Sequence, residues 1–253
     1  MKNYVVKKKA YEELKILNEI KFINQTSNGN SNSNNNTIFC LFGELNYVEK
    51  YYFDTKRSIL KYNETARIHL HVMLDEKDDF VKMNHLLNIS DEITYSYEFY
   101  RPKTKAGYTT RRFVRLLQLY DRFSSPIIAL DIDSVITGKF DKYIKEAIQS
   151  DVQIYLREYD FYINQRVHAG FIFINGSENS KYFLIFLVNY FCQLEKLGKL
   201  MWFCDQMGLL AAYNYFESKS LIKIQKIKNE YMTWDEINKD SLVMTLKGEL
   251  KNL

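Results

Sequence analysis

Asp131 and Asp133, two carboxylates one residue apart, close the apolar run Ile127-Ile128-Ala129-Leu130. Four consecutive apolar residues after Pro126 read as a strand buried on both faces. In extended chain residues i and i+2 project to the same side, so both carboxylates address one point in space. Like charges held that close repel unless a cation lies between them. A hard divalent ion, Mg²⁺ or Mn²⁺, answers that need and keeps coordination positions for the phosphate oxygens of a substrate. An Asp-x-Asp at a strand end also serves as a plain polar exit from a sheet or as a helix cap, so its meaning comes from context.

That context is the set of elements that must hold the pair in place. From Ile38 onward strand and helix patterns alternate: a strand at 37–42, a helix at 48–62, a strand at 68–74, a helix at 80–87, a short strand at 93–97 and a helix at 109–122 precede the Asp-x-Asp strand. A helix at 140–149, strands at 152–156 and 171–174, helices at 178–196 and 203–216 and a strand at 242–245 follow. Such alternation predicts an α/β fold, a mostly parallel Rossmann-like sheet flanked by helices. Ligands of such sheets bind outside the carboxyl ends of the strands, where Asp131 and Asp133 stand. Ahead of this domain, Tyr4, Leu14, Leu17, Ile20 and Ile23 among Lys and Glu predict an amphipathic helix, and residues 24–37, almost wholly Asn, Ser, Gln, Thr and Gly, predict a flexible linker. The sequence thus divides into a 1–37 extension and a 38–253 domain.

Composition narrows the class. A length of 253 residues with 46% hydrophobic and 26% charged residues suits one large globular domain. The net charge of +4 is mild and the basic residues form no single stripe, which argues against a nucleic-acid partner. Lys7-Lys8-Lys9 and the lysines between 219 and 228 form solvated faces that allow peripheral contact with an anionic membrane. Cys40, Cys192 and Cys204 make neither a disulfide framework nor a zinc set, and fit a reducing compartment. The start of the chain is too polar for a signal peptide, and the apolar stretch 182–192 is far shorter than the ~20 residues a bilayer span needs. A cytoplasmic protein, peripheral at most on the inner membrane face, is expected. His69 and His71 share a strand face without a third ligand at suitable spacing, and Met201-Trp202-Phe203, before Asp205, reads as core packing rather than a sugar platform.

From about Ile38 to its end the chain resembles GT-A glycosyltransferases, most closely the retaining family-eight group that includes glycogenin and bacterial lipopolysaccharide galactosyltransferases. The resemblance is carried by landmarks in the family's order. Phe42-Gly43-Glu44-Leu45-Asn46-Tyr47 is similar to the acidic segment ending in Asn-Tyr that holds the nucleoside. Phe113-Val114-Arg115-Leu116 resembles the motif whose arginine serves the nucleotide sugar, and Leu130-Asp131-Ile132-Asp133 the family's metal site. His168-Ala169-Gly170 resembles the Asn-Ala/Ser-Gly beside the donor sugar, and Asp205-Gln206 the pair at the sugar's reactive centre.

The resemblance implies a metal-dependent hexosyltransferase using Mn²⁺ or Mg²⁺, a nucleotide sugar donor carrying UDP, a glycan or lipid-linked saccharide acceptor, and retention at the anomeric carbon. It places Asn46, Tyr47, Arg115, Asp131, His168 and Lys251 around the donor, Asp131 and Asp133 on the metal, and Asp205 and Gln206 at the reacting sugar. Two departures stand out. Thr245 occupies the place of the histidine in the closing His-x-x-Gly-x-x-Lys, with Gly248 and Lys251 retained, and Glu44 stands alone where an acidic pair is common. Two other readings compete: a haloacid-dehalogenase-like phosphatase, whose hallmark is also a strand ending in Asp-x-Asp, and a non-catalytic transferase-like binding module, favoured by the missing histidine.

Overall fold

The structure, a computed structural model, describes residues 21–23, 37–87, 93–157, 162–234 and 241–245. Eight strands form one sheet in the order β1-β4-β3-β2-β5-β8-β7-β9. They are β1 (Lys21–Ile23), β2 (Ile38–Glu44), β3 (Arg67–Leu74), β4 (Ile93–Phe99), β5 (Ile127–Asp131), β7 (Val152–Leu156), β8 (Val167–Ile174) and β9 (Ile224–Lys226). The sheet is mostly parallel, and only β1 and β8 run against the other six. A second sheet joins β10 (Met232–Trp234), β11 (Val243–Thr245) and β6 (Ser134–Ile136).

The central strands carry unbroken apolar runs because both sheet faces are covered. Leu41, Leu70, Leu130 and Phe171 lie in one core layer with α1 (Phe53–Tyr62) and α4 (Asp141–Ala147), while Cys40, Ile127, Ala129 and Ile172 lie in the other. That second layer is closed by α3 (Ala106–Phe123), α5 (Glu178–Lys196) and α6 (Cys204–Lys219). The entry to α5 is capped by Ser177, whose Oγ accepts from Ser180 N at 3.2 Å. The helix α2 (Lys77–Leu87) follows β3, its Met83 and Leu87 buried in the first layer.

Most expected elements form within a few residues of their expected bounds. The helix expected up to Ile23 does not extend over its last residues: Lys21–Ile23 is a strand paired antiparallel with β4. There a neighbouring edge strand offers backbone partners that outweigh the helical period of the side chains. The rest of that helix and nearly all of the linker lie outside the described residues. The strand expected to begin at Phe171 begins four residues earlier, at Val167.

That early start positions the site. The antiparallel register pairs Leu130 with Phe171, so the chain just before Phe171 meets the carboxyl end of β5. Against β7 the register jumps, with Ile154 opposite Ile172 but Tyr155 opposite His168. The surplus residues 169–171 bulge there, and bulges re-aim side chains next to functional sites. His168, Ala169 and Gly170 are thereby carried to the edge where Asp131 emerges.

Candidate active site

A cleft of about 400 Å³ opens across this edge, lined by residues of β2, β5, β8, α3 and α6. Its order follows the sheet: Phe42, Glu44 and Tyr47 at one end, Asp131 and Asp133 in the middle, His168 to Gly170 next, and Asp205 and Gln206 at the start of α6.

The turn carrying the carboxylates is tied down from beneath. Thr55 on α1 is buried, and its hydroxyl lies 2.6 Å from Ile132 O and 2.9 Å from Ser134 O, donating to the two carbonyls that flank Asp133. Ser58, one turn on, accepts from Ile136 N at 3.1 Å. Neither residue stands out in the sequence, because each is an ordinary polar residue of an amphipathic helix. The Asp131 carboxylate packs against the bare Cα of Gly170, whose N donates to His168 Nδ1 at 3.0 Å.

Arg112 organises the charges. Its guanidinium reaches Asp131 Oδ1 at 2.5 Å and Asp205 Oδ2 at 3.0 Å, joining the strand-end carboxylate to the first turn of α6. Asp205 also accepts from Gln206 N at 2.9 Å. With its amide nitrogen turned toward the backbone, Gln206 donates to Val167 O at 2.8 Å and Asn164 O at 2.7 Å, which leaves its carbonyl oxygen as the polar atom available to a ligand.

Arg115 is a correction. It is 1% exposed, is absent from the cleft lining, and its guanidinium is bonded to Glu98 on β4, as is that of Arg111, and to Gln118. Burial would raise the Glu98 pKa, but hydrogen bonds from Arg115 and His71 and the arginine charge outweigh it and hold the carboxyl well below its ordinary range. Arg112, one helical turn earlier, is the arginine that enters the cleft. His69 and His71 join the same buried network through Thr94, Ser96 and Glu98, so they are structural and not a metal pair.

Of the other expected site residues, Tyr47, Asp131, Asp133, His168, Asp205 and Gln206 share the cleft. Asn46 is exposed and does not line it, and Lys251 lies outside the described residues. Lys105, Tyr108 and Thr109, on or next to α3, line it without having been expected. Thr245 is brought in by pairing with Ser134 across β11 and β6. Its Oγ1 is buried with no hydrogen-bond partner among the described residues, as is Ser134 Oγ.

The donor set indicates what could bind. Asp131, Asp133 and the unpartnered Thr245 hydroxyl are hard oxygen donors on one cleft, a set that suits Mg²⁺ or Mn²⁺ and not a thiophilic ion. No group of three His, Cys, Asp or Glu converges among the described residues. Two carboxylates are therefore the charged share of such a site, and a phosphate-bearing ligand would complete it.

No protein-family model and no curated protein matches the sequence. Solved structures do match the fold. An active-site Gln-to-Glu mutant of LgtC aligns with TM-score 0.55 and 12% identity over 84% of this chain and 87% of its own. The galactosyltransferase LgtC in complex with donor and acceptor sugar analogues gives 0.54 and 13% over the same shares. The glycosyltransferase GlyE of Streptococcus pneumoniae TIGR4 in its apo form gives 0.54 and 12% over 85% of this chain, which spans only 55% of GlyE. Strand order, strand-end cleft and these neighbours agree on one architecture: the chain has the GT-A glycosyltransferase fold.

Proposed function

We propose that this protein transfers a hexose from a nucleotide-diphosphate sugar, with UDP as the nucleotide, to a glycan or lipid-linked saccharide, with a divalent metal and retention of configuration. The observation that carries the reading is Arg112 bridging Asp131 and Asp205. One fixed cation thus spans the carboxylate suited to a metal and the carboxylate suited to a sugar, within a cleft of about 400 Å³. The fold neighbours, among them a galactosyltransferase with donor and acceptor analogues, support transfer.

In this reading the nucleoside lies against Phe42, Glu44 and Tyr47, at the β2 end. Asp131 and Asp133 hold Mn²⁺ or Mg²⁺, which when bound supplies positive charge to the departing diphosphate. Arg112 adds a preorganised cation aimed where negative charge develops. Asp205 orients the sugar hydroxyls, and the Gln206 carbonyl faces the anomeric centre in a positioning role, since an amide is a poor nucleophile. His168 flanks the sugar from β8. A phosphatase reading would make Asp131 the nucleophile, and the glycosyltransferase fold neighbours do not favour it.

A thermal-shift titration with nucleoside diphosphates, each with and without Mn²⁺, tests this. A ligand that binds only the folded state raises its melting temperature by mass action, so no acceptor is needed. Stabilisation by UDP that depends on metal and is lost in Asp133→Asn is the expected result. Silence across the panel would sink it.

A further inference from the structure

Trp202 and Met201 are 61% and 66% exposed, although their apolar run suggests core packing. Trp202 lines the cleft together with Phe203, against whose ring it lies edge-on with centroids 6.0 Å apart. Phe203 has φ +69°, a left-handed conformation that an aromatic residue keeps only where its surroundings fix it, and which clusters at functional sites. The fixing contacts are local: Met201 N donates to Cys204 Sγ at 3.2 Å, Cys204 N to Met201 O at 3.1 Å, and Met207 N to Phe203 O at 3.0 Å. The turn therefore holds a large indole at the cleft wall, three residues ahead of Asp205.

Position along the cleft says what the indole faces. Trp202 sits at the entry to α6, next to Asp205 and Gln206, while Phe42 and Glu44 line the same cleft from β2. With the donor's nucleoside on β2 and its sugar at Asp205, the indole falls on the sugar side of the cleft. Binding clefts combine apolar walls with a few fixed polar groups. An exposed aromatic face beside carboxylate and amide groups matches a pyranose ring, which has one C–H face and a rim of hydroxyls.

We propose that Trp202 is the stacking platform of the acceptor subsite, taking the C–H face of a pyranoside. The identification of that sugar as an acceptor rests on the transferase reading; the stacking itself does not. The chain has 2 tryptophans, Trp202 and Trp234, so Trp234→Phe makes Trp202 the sole reporter. The full chain carrying that substitution is titrated with methyl β-D-galactopyranoside, methyl β-D-glucopyranoside and lactose, with mannitol as the acyclic control and phosphatidylglycerol vesicles as a separate arm. The expected result is a saturable change in indole emission with at least one pyranoside and none with mannitol.

For the glycoside that responds, Trp202→Ala is expected to raise the acceptor KM about tenfold, roughly 1.4 kcal/mol, with the donor KM held within about twofold. Trp202→Phe should recover most of the loss. No emission change with any pyranoside, or a change with vesicles alone, overturns the platform. A saccharide response without nucleotide stabilisation or donor turnover upholds the platform and removes the transferase reading, so the two failures are distinguishable.

Discussion

The carboxylate of Asp131 rests on Gly170 so closely that a Cβ built there would lie 2.3 Å from Asp131 Oδ2 and 2.4 Å from His168 Cε1. Only a glycine lets β8 approach the end of β5 with both side chains in place. Gly170→Ala is expected to displace Asp131 and cost about 1–3 kcal/mol of stability, the usual range for overpacking. Denaturant melts read that loss. A parallel titration should show metal-dependent nucleotide affinity falling at least tenfold, roughly 1.4 kcal/mol, and unchanged affinity would mean that the carboxylate position does not matter.

Arg112 and Arg115 separate function from stability within one helical turn. Arg115→Gln leaves Glu98 short of a buried partner and is expected to cost about 3–5 kcal/mol, as breaking buried ion pairs does. Arg112→Gln touches one partly exposed carboxylate, Asp131, and one buried one, Asp205, at the cleft wall, so melting should fall less than in Arg115→Gln while donor turnover falls on the order of a hundredfold, or about 2.7 kcal/mol of transition-state stabilisation. Melting curves and donor hydrolysis on the same two variants decide it. The reverse pattern would restore Arg115 to the site.

Much of this arrangement was legible in the sequence, and what was not has a common physical cause. Continuous apolar runs such as Ile127–Leu130 announce strands covered on both faces, and the i, i+2 spacing of Asp131 and Asp133 announces a shared side. Which of two arginines three residues apart enters the cleft is set by Glu98 on β4, a long-range partner that no local pattern contains. The same holds for Trp202, since an apolar triplet looks alike whether it packs inward or is held out by a strained turn. Strands β9 and β10 were missed because Ile224–Lys226 and Met232–Trp234 sit in polar, lysine-rich or irregular surroundings with no apolar run or alternation to mark them.

Thr245 bears on metal affinity. It pairs with Ser134, next to Asp133, and its buried hydroxyl has no hydrogen-bond partner among the described residues. A neutral imidazole at that position would add a nitrogen ligand to two carboxylates. Thr245→His is expected to tighten Mn²⁺ binding about tenfold, or roughly 1.4 kcal/mol, read by calorimetry in the presence of UDP. A larger side chain that leaves affinity unaltered would place the β11 side chain away from the ion.

Acid sensitivity follows from the network behind the sheet. His69 and His71 are fully buried, and burial pushes both pKa values below the ordinary 6.5, His69 furthest. His71 is helped upward by its bond to Glu98, but Arg115 and Arg111 oppose that, while His69 faces Thr94, Ser96 and the charge of Arg122. The unfolded chain therefore binds more protons than the folded one once pH drops below about 6.5, and stability must fall with pH there. The slope is at most about 1.4 kcal/mol per pH unit for each histidine. Glu98, held low by its arginines, adds a loss of the same sign below about pH 4.5. Urea melts between pH 8 and 5 should show a plateau above pH 7 and a decline below it, shallower in a His71→Gln variant. A flat profile would mean that the imidazoles are hydrated and free to take up protons in the folded protein.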